Sequence, residues 1–303
     1  MMPAIVAMFI AACGAAGQIG TAQPKPEPTV ELSAARVFTD AREAARSAPI
    51  AERLTVTVKQ PEHTPLSAAL VLRIAPGKQR DGADTLVSID AGDLRIHARG
   101  GTKDEPGELI AVSVSNPTAY YRTALDGPPT AAAISAALLP LPLPTLAVYF
   151  AVEGQALAEP TPLTGNIAWS AVSLPINDLR PPITLTGTID GKPGASILFE
   201  YQQDRLRLRS FSSPLVRGRD ARVLQVTAAW IEPGDPKSWL IDVSGRTRVE
   251  SIAALGTRVE PPSPPPAPTP EPEKKPADEP VAEPPKVETP STAAPPPKRG
   301  PEP

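Results

Sequence analysis

The chain of 303 residues has one cysteine and two histidines. That supply excludes an internal disulfide, a four-ligand zinc site, a haem-attachment motif and a CxxC redox pair. Aromatics are scarce: three tryptophans, four tyrosines and five phenylalanines leave few rings to stack on bases. Neither sign of charge dominates, since 30 basic side chains face 33 acidic ones for a net charge of −3. No nucleic-acid partner is expected from that balance. Phosphate-cradling loops are also missing, because Gly82, Gly100, Gly101 and Gly187 build neither GxGxxG nor GxxxxGKS/T. No GxSxG elbow nominates a serine. His97 lies between Arg95 and Arg99 on the polar face of its strand, where a surface role is expected. No nucleophile, base and orienting group assemble, so no catalytic residue, metal or cofactor is expected and the chain does not read as an enzyme.

Proline is what the chain has in excess. Of 42 prolines, eighteen fall between Pro261 and Pro303, among Glu, Lys, Ala and Thr with no apolar periodicity. Such a segment buries too little surface to offset its ordering entropy, so residues 259–303 are expected to be disordered and biased to polyproline II. The tail either binds a partner or is a solvated, protease-tolerant extension.

At the other end, residues 3–22 carry no charge and run from apolar to small residues. An apolar core over Ala4–Ala12 is far short of the roughly 20 residues a membrane-spanning helix needs, so residues 1–22 read as an export signal. Small residues at Gly20 and Ala22 suit cleavage before Gln23, and Gly17 offers a second site. No Lys or Arg precedes the apolar core. Cys13 follows Ile10-Ala11-Ala12 and precedes Gly14, a pattern similar to a bacterial lipobox, whose cysteine is acylated. The plain alternative is a small apolar residue in a discarded leader. Membrane association follows only if Cys13 is acylated.

Residues 23–30 form a Pro-rich linker, and residues 31–258 one domain. Leu32, Ala35, Phe38 and Ala45 approximate one helical face from Val30 to the stop before Pro49. The period then changes to two. Alternation over Leu54–Val58, Leu70–Ile74, Val87–Ile89, Leu94–Ala98 and Ile110–Val114 predicts strands with one buried face. The signal returns at Ile167–Ala171, Ile183–Ile189, Ile197–Tyr201, Leu206–Leu208 and Val226–Trp230, with turns at Asp90–Asp93, Asp190-Gly191 and Gln203-Asp204. Short turns without crossover helices predict a mainly β fold, an antiparallel meander. Between the two halves Thr130 caps an expected helix over Ala131–Leu139, ended by Pro140, and Thr145–Val152 forms a second apolar run, helix or strand.

This element order, with Arg53-Leu-Thr-Val-Thr-Val58 after the first helix and Asn116-Pro-Thr-Ala-Tyr-Tyr121 before the apolar segment, resembles the LolA-like superfamily of bacterial envelope proteins. The resemblance covers about residues 31–256. It implies a sheet curled into an open half-barrel, short helices lying over its concave face as a lid, and an apolar interior that shelters acyl chains or lipidated proteins. Carriers of that type hold the lid with an arginine in a strand-ending Arg-Pro pair. The nearest match, Arg73-Ile-Ala-Pro76, has two intervening residues. On this basis the cavity and lid candidates are Ile134, Leu138, Leu139, Leu143, Phe150, Trp169 and Phe199, with Arg73 as lid arginine and Cys13 as lipidation site. Core packing explains the aromatic ones equally. Arg205, Arg207 and Arg209 place three guanidinium groups on one strand face, either for an anionic partner or as a solvated face. Two function classes result: a noncatalytic envelope protein binding a hydrophobic ligand in the half-barrel, or an envelope scaffold acting through its sheet and tail.

Overall fold

Ser33 begins the first helix. Its side chain accepts a hydrogen bond from the main-chain N–H of Arg36, the capping contact that a serine at this position provides. The computed structural model describes residues 28–79, 82–101, 105–175, 180–216 and 221–256, so the expected leader with Cys13 and the Pro-rich tail lie outside the described residues. The chain divides into two units at Val259, and every described residue belongs to the first. In chain order its elements are β1 (Thr29–Leu32), α1 (Ala34–Arg46), β2 (Ile50–Lys59), β3 (Leu66–Ala75), β4 (Leu86–Ala91), β5 (Leu94–Arg99), β6 (Gly107–Ser113) and β7 (Ala119–Leu125). Then follow α2 (Ala131–Ala137), α3 (Pro144–Tyr149), β8 (Ala168–Trp169), β9 (Val172–Pro175), β10 (Ile183–Ile189), β11 (Lys192–Gln202), β12 (Arg205–Val216), β13 (Arg222–Ile231) and β14 (Thr247–Val249).

Twelve of these strands form one open sheet in the order β14-β7-β6-β5-β4-β3-β2-β13-β12-β11-β10-β8, while β1 and β9 pair separately. All pairs are antiparallel except β14 with β7. The sheet is not closed into a barrel; the alternation predicted its mainly β meander, and the resemblance implied the open half-barrel that is observed. Hairpin turns fall where the sequence placed them, with Asp190, Gly191, Gln203 and Asp204 all at positive φ. Gly187 is required for a close approach instead. A Cβ there would meet the Ile167 side chain at 2.4 Å, so any larger residue would force a shift in the 167–169 segment that pairs with β10.

Register explains the core. Leu54 faces Leu70 on one side and Ala228 on the other, and Ile89 faces Ile96, which faces Ala111. These side chains are buried on one shared face of the sheet. On the far side Ile197 pairs with Phe211, and Phe199 with Leu208, on that same face. Phe38 of α1 is fully buried against them, with its ring edge-on to Phe199 at 5.7 Å and to Trp169 at 5.8 Å.

Three expectations change. The helix expected from Val30 starts at Ala34, because Thr29–Leu32 pairs with β9 as a strand, which also shortens the expected linker. The strand expected over Ile167–Ala171 has two paired residues, Ala168 and Trp169. Short strands β7, β9 and β14 lacked a strong alternating signal, and β14 depends on a long return of the chain to β7. Among the described residues no helix is long and apolar enough to cross a membrane.

Candidate functional site

Helix α3 is the wall between two spaces. Its sequence, Pro144-Thr-Leu-Ala-Val-Tyr149, is apolar around most of its circumference, so burying one side leaves another that is also apolar. Leu146 and Val148 enter the core. Ala147, with Phe150, Ala151 and Val152 beyond the helix end, lines an outer groove of about 620 Å³, closed by the start of α2 and by the 155–162 loop. Val152 remains 62% exposed there. The loop is fixed partly by Trp169, whose indole N–H donates to the carbonyl of Leu157.

On the inner side α1, α3 and the sheet leave a cavity of only about 20 Å³, bordered by Ala41, Ala45, Thr145 and Glu52. Glu52 stands on the buried face of β2, opposite Leu72 and Trp230, and is 3% exposed. Desolvation raises its carboxyl to about 7, while the Thr145 hydroxyl and the Arg207 guanidinium pull it downward. Neither Oε1 of Glu52 nor Oγ1 of Thr145 has a partner at hydrogen-bonding geometry. Burial also lowers the Arg207 guanidinium, which Glu52 raises and Arg205 lowers.

The last turn of α3 is tied to α1. Arg46 Nε donates to the Tyr149 carbonyl at 3.0 Å, and Arg42 Nη1 donates to the Ala151 carbonyl at 3.3 Å. Arg42 is buried and meets Glu153 at 3.5 Å. Cationic donors at the final carbonyls of a helix satisfy groups the helix itself leaves open. Tyr149 is further held by a hydroxyl contact with Thr85 at 3.2 Å, and burial raises its pKa.

Arg73 does not hold the lid. It lies between Leu72 and Ile74, so strand alternation sends it to the outer face, where it pairs with Asp90 at 2.7 Å. Leu139 is also misplaced as a lid contact: it follows the end of α2 and is 41% exposed. Ile134, Leu143 and Phe199 are fully buried in the continuous core, and Leu138 packs against it half-buried. Trp169 is half-buried against Phe38, and Phe150 alone of the candidates lines the outer groove. The interior around the candidate residues is therefore filled, chiefly by Phe38, which the sequence already set on the apolar face of α1. The groove residues Ala147, Ala151 and Val152 carried a sequence signal of their own, an apolar run with no polar side.

The arginine stripe is broken by a register shift opposite Leu198 and Phe199. Arg207 is drawn toward Glu52, whereas Arg209 donates to the Ala228 carbonyl, lies 5.7 Å from the Trp230 ring and approaches Glu200 at 3.7 Å. His97 is buried, contrary to its expected surface role. The chain after β13 returns across the outer face, and the N–H of Ile241 donates to His97 Nδ1 at 2.9 Å. Desolvation lowers the His97 pKa, with Glu108 raising it and Arg122 lowering it, and an accepting Nδ1 is the neutral ring. The same return segment covers an outer cleft of about 530 Å³ around Arg73, Asp90 and Arg95.

No family model matches the chain, and no curated protein matches it. Solved structures do. One is a DUF1329 family protein from Desulfovibrio piger, 8% identical with a TM-score of 0.34, covering 65% of this chain and 90% of that one. Another is a LolA superfamily protein from Nitrosomonas europaea, 11% identical with a TM-score of 0.25, covering 69% of this chain and 98% of that one.

Proposed function

We propose that this is a noncatalytic protein of the bacterial cell envelope that binds one acyl chain, of a lipid or of a lipidated protein, in the groove outside α3. The observation that carries this reading is the groove itself, about 620 Å³ and walled by Ala147, Phe150, Ala151 and Val152. Small-molecule sites usually fall between roughly 300 and 1,000 Å³ and are mostly apolar. The chain is exported by its first 22 residues, in the periplasm or as a Cys13-acylated lipoprotein, and its Pro-rich tail is a spacer or a contact for another envelope protein. Native mass spectrometry of the protein purified from membranes tests the reading, since it reports bound lipid and any acylated cysteine together. Lipid adducts support it, and an adduct-free protein from every preparation opposes it.

A second reading is favoured by the filled interior. A half-barrel packed with its own Phe38, Leu143 and Phe199 suits a scaffold that acts through its surface. That reading expects no saturable uptake of an acyl probe.

A further inference from the structure

Glu52 sits beneath the lid with every neighbouring element identified. β3 sets Leu72 beside it and β13 sets Trp230, while α1 borders the same small cavity with Ala41 and Ala45. α3 contributes the Thr145 hydroxyl. β12 contributes Arg207, the charged group that acts on Glu52, and the Arg207 Nε is buried without a hydrogen-bond partner. Arg42 and Arg46 of α1, neither of which lines this cavity, donate to the carbonyls of Ala151 and Tyr149. The unpartnered Oε1 of Glu52 thus faces a space that offers hydrogen-bond donors but closes no bond to it.

We propose that Glu52 is a protonation-controlled latch for α3: the neutral carboxyl lets the helix seat on the sheet, and the ionised one lifts it. A buried charge without a bonded partner is relieved most directly by admitting water. The sheet strands on either side are locked by their ladders. α1 has thirteen residues and buries Phe38 among the core aromatics. α3 has six residues, starts at Pro144 and has no side-chain hydrogen bond at its N-terminal cap, so its first turn, beside Glu52 at Thr145, is the part of the cover that yields while Arg46 and Arg42 hold its C-terminal end. Burial raises the Glu52 carboxyl to about 7, so the switch falls within the physiological range. Lifting α3 also joins the inner cavity, on its Thr145 side, to the outer groove, on its Ala147 side. That last consequence rests on the acyl-chain reading; the latch does not.

Hydrogen–deuterium exchange of the full chain at pH 6 and pH 8, corrected for intrinsic rates, tests the latch in peptides spanning Leu141–Ala151. Opening of wild-type α3 should rise about tenfold between the two pH values, and Glu52→Gln should abolish that rise. Equal opening at both pH values, or a Glu52→Gln protein that keeps the rise, overturns the proposal. If Glu52→Gln fails to fold, the carbon-13 shift of the wild-type Glu52 carboxyl serves instead. A midpoint matching the exchange transition supports the latch, and one in the ordinary carboxylate range overturns it. Uptake of a fluorescent acyl probe at the same pH values separates the two readings. A pH-dependent α3 in a protein that binds no probe leaves the latch standing and removes the acyl-chain function.

Discussion

Arg46 holds Tyr149 in two ways: its Nε donates to the tyrosine carbonyl at 3.0 Å, and its guanidinium lies 5.2 Å from the centre of the tyrosine ring. Both contacts join the last turn of α1 to the last turn of α3, although the residues are 103 positions apart in sequence. Removing the side chain with Arg46→Ala should cost about 2–4 kcal/mol, the range for a hydrogen bond from a charged donor plus a cation–π contact. Urea denaturation measures the loss, and hydrogen exchange should place it in α3. Arg46→Lys should recover only part of it, because a lysine cannot present a planar guanidinium to the ring.

Arg73→Ala is the control. Its ion pair with Asp90 is partly exposed and lies on the opposite face of the sheet, so the expected loss is at most about 1 kcal/mol. Exchange in α3 should be unchanged. A lid that loosens in Arg73→Ala would restore the role expected from the Arg73-Ile-Ala-Pro76 segment.

That contrast shows what could be read from the residues beforehand. Period-two alternation places Leu72 and Ile74 inward and thereby Arg73 outward, so the alternation already opposed the lid role that the family resemblance implied. Arg42 is four residues after Phe38 and three before Ala45, a spacing that puts it on the buried face of α1. The strand ladder was legible because one buried face fixes register. What could not be read is whether the interior is hollow, since Phe38, Phe199 and Trp169 carry the same apolar signal lining a cavity or filling it. The burial of His97 was equally hidden, because its cover is a segment 144 residues further along the chain.

Phe38→Ala removes the ring that meets both Phe199 and Trp169 at the centre of the half-barrel. A loss of about 3–5 kcal/mol is expected for truncating a fully buried phenylalanine. Chemical denaturation followed by tryptophan fluorescence measures it. A loss below about 1 kcal/mol would mean that the interior is not packed on this residue.

Glu52 gives the stability a pH dependence of defined sign. Its carboxyl is raised from 4.5 to about 7 on folding, so between those values the folded state holds a proton that the unfolded state has released. Stability from this group is therefore greatest below about pH 4.5, falls as pH rises to about 7, and is flat above it. The full span is roughly 3 kcal/mol. Glu52→Leu should remove this component of the pH profile and make the protein more stable than wild type at pH 8. Equal stability of the two proteins at pH 8 would show that the buried carboxylate is not costly.

The acyl-chain reading is tested most directly by titrating a fluorescent fatty acyl probe into wild-type protein and into Val152→Asp. Val152 lines the groove and is 62% exposed, so the substitution should change stability by less than about 0.5 kcal/mol. Saturable wild-type binding, weakened at least about tenfold by a carboxylate placed against the chain, is the expected result. Absence of saturable binding to wild type, or binding that Val152→Asp leaves unchanged, would contradict it.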